Sequence, residues 1–160
     1  MIPPVLPPGA GRKVAVAGDV YTIKLTGAET GGRCAVFEFF VPLGGGPPPH
    51  VHHREDELFY VVEGELTFTV AGATFPVPAG GFLATPRDIP HAFRNTSDRP
   101  ARAVVIVTPA GLENFFLEVG TPWDDATRSP GPPSPDEVAR LVAAAPRYGL
   151  EVLPPSPGTS

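Results

Sequence analysis

The chain has 160 residues, 42% of them hydrophobic, and a formal net charge of −5. That length suits one domain with a real core and leaves no room for two ordinary ones, and the acidic balance argues against nucleic acid or an anionic membrane surface as a partner. No apolar run approaches the roughly 20 residues that cross a bilayer, and the start, Met1-Ile-Pro-Pro-Val-Leu-Pro-Pro-Gly9, lacks the basic and apolar regions of a secretion signal. Cys34 is the single cysteine and can close no internal disulfide, so a soluble cytoplasmic protein is expected. With no histidine or second cysteine beside it, Cys34 reads as a small hydrophobe.

The 23 prolines and 18 glycines fall mostly between short apolar runs, which predicts an all-β fold with many turns. Strands are expected at 14–17, 21–25, 33–41, 50–52, 58–63, 65–70, 73–77, 81–84, 92–94 and 102–107. The strongest hairpin signal is 58–70, turning at Glu63-Gly64, with Leu66, Phe68 and Val70 alternating against Thr67 and Thr69. Strands at this spacing favour a closed barrel or a sandwich. Beyond residue 110 the period changes. Leu112, Phe115, Phe116 and Val119 predict a short helix with one apolar face. Ser134-Pro-Asp-Glu137 is a capping box that launches a second helix carrying Val138, Leu141, Val142 and Ala145 on one face, stopped by Pro146. The expected organisation is a flexible segment at 1–12, a β-barrel at 13–110, a helical extension packed outside it at 111–153, and a disordered tail at 154–160.

All four histidines, His50, His52, His53 and His91, lie at or beside positions where a metal site would need one. His50 and His52 are spaced to share one face of a strand. Glu57 has the wrong parity for the same unbroken strand, so 53–56 must turn or bulge before it. Glu57 and His91 could complete a shell of three nitrogens and one oxygen, with Asp56 or Glu55 as rival carboxylates. Ile89, His91 and Phe93 share a face, which aims His91 at the apolar interior. His53 reads as solvated or placed behind the ligands, Asp88 and Asn95 as turn formers, and Arg54-Glu-Asp56 as a solvated turn. Phe115, Phe116 and Trp123 read as packing residues.

Two stretches resemble the paired motifs of the cupin superfamily. Gly44, His50, His52, Glu57 and Gly64 fill the first, G-x5-H-x-H-x(3,4)-E-x6-G, with the longer gap; Gly80, Pro86, His91 and Asn95 fill the second, G-x5-P-x-G-x2-H-x3-N. The second motif's other glycine is Asp88 here, which puts the local loop shape in question rather than the ligands. The resemblance implies a small double-stranded β-barrel of the jelly-roll kind with one divalent transition metal (Fe, Mn, Ni, Co, Cu or Zn) held by His50, His52, Glu57 and His91. The run 44–66 and the tail from Glu137 look like single-domain cupins of the quercetin (flavonol) dioxygenase-like group. That likeness implies a dioxygenase taking a flavonol or another enolisable aromatic together with O2, with Glu57 both ligand and general base. Phe59, Phe68 and Phe93 are then expected as apolar walls of a substrate pocket. The alternatives are an oxygen-independent, metal-dependent isomerase or decarboxylase, and a non-catalytic module that binds a small molecule. A homodimer is expected, paired or swapped through the strands between Val14 and Leu25.

Overall fold

In the computed structural model, which describes residues 5–154, twelve strands form two antiparallel sheets. They are β1 (Arg12–Val16), β2 (Asp19–Leu25), β3 (Ala35–Val41), β4 (His50–His52), β5 (Asp56–Glu63), β6 (Glu65–Val70), β7 (Ala73–Pro78), β8 (Phe82–Thr85), β9 (His91–Arg94), β10 (Ala101–Thr108), β11 (Thr121–Pro122) and β12 (Leu150–Val152). The larger sheet runs β11-β1-β2-β3-β10-β5-β8 and the smaller β12-β4-β9-β6-β7. The two face each other across one core, the expected jelly-roll arrangement. Of the expected flexible segment at 1–12 and tail at 154–160, residues 1–4 and 155–160 lie outside the described residues.

Alternation places the core. Phe37 and Phe39 on β3, Phe59 and Val61 on β5, Leu66 and Phe68 on β6, and Val105 and Val107 on β10 are all buried. Their neighbours Tyr60 and Val62 face solvent, as a period of two requires. The expected hairpin at 58–70 takes a different form. β5 pairs with β10 and β8, whereas β6 pairs with β7 and β9. Both edges of β5 are therefore taken, and the chain crosses between sheets at Gly64. A Cβ at that corner would lie 2.8 Å from the Pro100 carbonyl oxygen, and the backbone is left-handed at φ +72°; glycine alone meets both demands.

Four further elements complete the chain: α1 (Gly27–Thr30), α2 (Leu112–Val119), α3 (Pro135–Ala144) and a 3₁₀ turn at Ala145–Tyr148. The capping box opens α3 as expected, with Ser134 Oγ accepting from the Glu137 N–H and the Glu137 carboxylate accepting from the Ser134 N–H. The helices lie beyond the barrel strands, but α2 is part of the core. It buries Leu112, Phe115 and Phe116, and the Phe116 ring centre sits 4.3 Å from that of Tyr21 and 5.2 Å from that of Phe37. Two short strands escaped the sequence reading: β11 covers β1, and β12 joins the small sheet beside β4. Consequently β1 and β2 are interior strands, which corrects the expectation that they present free edges.

Asp19 is buried at the start of β2, and neither carboxylate oxygen has a well-formed hydrogen bond. It sits under the 44–46 loop, where a Cβ on Gly45 would come within 2.6 Å of its oxygen. Burial raises its pKa from 3.8 to about 8, opposed only by the nearby Gly46 N–H. The folded state thus holds a proton that the unfolded chain releases, so this residue costs stability progressively as pH rises from 3.8 through 8. Asp19→Asn should match the parent near pH 4 in thermal unfolding and exceed it increasingly toward pH 8. A difference independent of pH would remove this account.

Candidate metal centre

The two sheets each deliver part of the site. β4 presents His50 and His52, and β9 brings His91 directly opposite His50 in register. Glu57, near the start of β5 in the other sheet, faces them across the core; between them His53–Glu55 makes the turn that parity demanded. Within this cluster one ligating atom from each of His50, His52, Glu57 and His91 lies within 4.8 Å of the others. The Glu57 carboxylate is 2.8 Å from His91 Nε2 and 3.4 Å from His52 Nε2. Four atoms bound about 2.1 Å from one ion are separated by at most about 4.2 Å, so a few tenths of an ångström of closure would suffice.

The opposite edge of each imidazole is held by a partner. Nδ1 of His50 contacts the Pro48 carbonyl at 2.8 Å, that of His91 the Ile89 carbonyl at 3.0 Å, and that of His52 the Glu55 carboxylate at 2.7 Å. With Nδ1–H held outward, Nε2 of each ring faces the cluster, where that of His91 donates to the Glu57 carboxylate and where an ion would take the lone pairs instead, the arrangement that fixes ring orientation in metal-binding histidines. The donor set of three imidazoles and one carboxylate suits a first-row divalent ion.

The loop ahead of His50 is packed too closely for any side chain at Gly46, where a Cβ would lie 2.1 Å from the Phe93 carbonyl oxygen. Asp88 adopts φ +64°, taking the left-handed position that the motif assigns to glycine. Its carboxylate and that of Glu151 on β12 both accept from the exposed His53 ring, at 2.7 and 3.1 Å. Asn95 is a buried turn former whose amide donates to the Val41 and Arg99 carbonyls. Of the rival carboxylates, Asp56 is occupied by the Arg87 guanidinium and backbone N–H. Glu55 is not in a solvated turn, as the run of charges suggested; it is buried against His52.

Electrostatics favour the binding-ready protonation states at His50 and Glu57, while at His52 they favour the cation, whose Nε2 proton an arriving ion would displace. Burial and the charges of His52 and His91 lower His50 from 6.5 to about 3, keeping it neutral. Burial pushes Glu57 upward, but the three imidazoles outweigh it and hold the carboxyl at about 2, ionised. His52 is likewise opposed by burial yet raised by Glu57 and Glu55. Glu55→Gln keeps the shape but weakens the grip on His52. It should reduce metal affinity by about 10–100-fold, the usual effect of removing a partner behind a ligand; chelator competition against the parent measures this.

A cavity of about 70 Å³ opens beside His50, His52 and Glu57. Phe93 lines it, as expected, whereas Phe59 and Phe68 do not. Those two rings pair edge to face at 5.0 Å and are fully buried in the barrel core, because inward parity places a residue inside without saying at which level. The rest of the wall comes from Tyr21, Phe39 and the C-terminal extension, including Phe116, Leu141 and Leu150. Apart from the three ligand candidates, Tyr21 is the only polar side chain among its described lining residues. Tyr21 carried no motif; its alternation with Asp19 and Ile23 on β2 was the available signal.

Fold and site together define a small jelly-roll barrel with a His3Glu cluster inside its mouth. Residues 37–107 match the cupin domain family. It is 28% identical over 123 residues to quercetin 2,3-dioxygenase of Bacillus subtilis, covering 77% of this chain and 36% of that protein. Its structure resembles an oxalate oxidase in complex with the substrate analogue glycolate, at TM-score 0.51 and 28% identity over 59% of this chain and 53% of that one. A predicted oxalate decarboxylase from Thermotoga maritima shares the fold at TM-score 0.59 and 18% identity, covering 63% of this chain and 94% of that one. The chain spans about a third of the Bacillus dioxygenase, so only a portion of that protein has a counterpart here. Among the described residues no helix is long and apolar enough to cross a membrane.

Proposed function

We propose that this protein is a metal-dependent cupin dioxygenase whose substrate is a flavonol or another enolisable aromatic. The convergence of four candidate ligand atoms, with His50, His52 and Glu57 lining an apolar cavity, carries this reading. His50, His52, Glu57 and His91 would hold one divalent ion, of iron, manganese, nickel, cobalt, copper or zinc. A bound ion would polarise a substrate oxygen and offer an open position to dioxygen. The chain's own residues do the remainder. Glu57, ionised and facing the cavity, accepts the proton of the substrate hydroxyl. Phe93 and Phe39 exclude water from the reacting face, and the carbonyls behind His50 and His91 keep their rings fixed. Residues 13–110 form the working barrel and 111–153 the extension that walls it. We place the protein in the cytoplasm as a homodimer, with β7 and β8 as the exposed sheet edges suited to pairing.

A second reading drops oxygen and keeps the metal, as in an isomerase or decarboxylase. The cavity's small size favours it, since about 70 Å³ is half of the ~150 Å³ apolar cavity that accommodates a benzene ring. Oxygen uptake decides between them. The protein would be loaded separately with each metal, loading verified by elemental analysis, and offered quercetin and simpler enols. Uptake matched to substrate loss, and absent in His50→Ala, supports the dioxygenase. Full loading without uptake removes it and leaves the oxygen-independent chemistry.

A further inference from the structure

The cavity beside the cluster is too small for an aromatic ring, yet it does not stand alone. A groove of about 390 Å³ lies between the 42–48 loop and α3, and it shares Ala17, Pro48, Leu141 and Val152 with the smaller cavity. The two spaces are therefore neighbours across a partition four residues wide. Amphipathic helices ordinarily bury their apolar stripe. Here α3 buries only Ala144 within its span and leaves Val138 and Val142 44% and 47% exposed. Both line the groove, and so does Leu43 on the facing loop, 56% exposed. An apolar groove of this size, adjoining the cavity that holds a polar cluster, has the form of a ligand site with a reactive end nearby.

We infer that the groove between the 42–48 loop and α3 is a binding subsite for the apolar body of the substrate, whose oxygen-bearing end passes Pro48 and Leu141 to reach the histidine cluster. The inference rests on the proposed function only for what happens at that end. The groove itself selects an uncharged, planar or elongated apolar group, because no charged side chain lines it among the described residues. It also resolves the mismatch in size: only the oxygen-bearing edge of a flavonol has to enter the inner cavity, while its remaining rings stay in the groove.

The test uses 1-aminoanthracene, a neutral fluorescent probe that needs no metal, with quercetin as competitor. Val138 is exposed in the first turn of α3, where an acidic residue is favourable to the helix, so Val138→Glu should fold normally. It should weaken 1-aminoanthracene binding about tenfold, because a charge must then be buried against an apolar ligand. Val138→Leu should retain the binding. Metal content should stay at the parent level in both. Displacement of the probe by quercetin, stronger in metal-loaded protein than in metal-free protein, would support the subsite and the flavonol reading together. Probe binding that depends on residue 138 but resists quercetin would keep the subsite and sink the flavonol. No probe binding, or equal affinity in parent and Val138→Glu, would overturn the subsite. So would a fall in light-scattering mass from dimer to monomer in Val138→Glu, which would make this face a contact between copies of the chain.

Discussion

Glu57→Gln will lower turnover by about 10²–10⁴-fold, the range lost when a positioned proton acceptor is removed, while metal content falls far less. Glutamine fills the same space and keeps an oxygen that can face the ion. It has no basicity, so the hydroxyl proton of the substrate has nowhere to go. The paired measurement, elemental analysis beside single-turnover rate, separates the two roles of this residue. Equal losses in both would make Glu57 a ligand only. Unchanged turnover would take proton transfer away from this carboxylate, and Asp56 could not inherit it while bound to Arg87.

His91→Ala should empty the site. His91 is buried opposite His50, and its ring edge meets the Glu57 carboxylate. Removing it takes away one of four donors and leaves the carboxylate with less compensation for its burial. The drop in metal affinity should therefore exceed the ~10–100-fold expected for a residue behind the ligands, such as Glu55. Far-ultraviolet circular dichroism should be unchanged, since the barrel core of Phe37, Phe59, Phe68 and Val105 lies among other residues. Retained affinity would mean that three donors suffice and that His91 serves packing.

Most of the candidate cluster was legible because its information is local: His50-x-His52 encodes a shared face, and the distance to Glu57 encodes a turn. The same holds for most strands, where β-branched and aromatic alternation set inward faces that the structure reproduces at Phe59, Val61, Leu66 and Phe68. What stayed hidden depends on partners far along the chain. Leu150–Val152 is too short to announce a strand, and its pairing partner lies about a hundred residues earlier. Glu55 sits in a run of charges that reads as solvent-facing, and only the approach of His52 shows why it is inside. The 58–70 segment holds two well-patterned strands, but pattern alone cannot say that each belongs to a different sheet. Phe59 and Phe68 lie in the core away from the cavity beside the cluster for a related reason, since depth along the barrel is a property of the assembled sheets.

β12 flanks β4, so Leu150 and Val152 are paired with the residues that carry the two leading imidazoles. With an ion bound at the candidate site, the edge of the small sheet and that site would be one two-ended equilibrium. Fraying of the strand loosens His50 and His52, and an ion held by those rings holds the strand down. Reciprocity then requires the two effects to be equal in free energy. A binding partner, a protease or a mechanical pull acting on residues 150–152 would then loosen an ion's hold as a chelator does, without offering it a ligand.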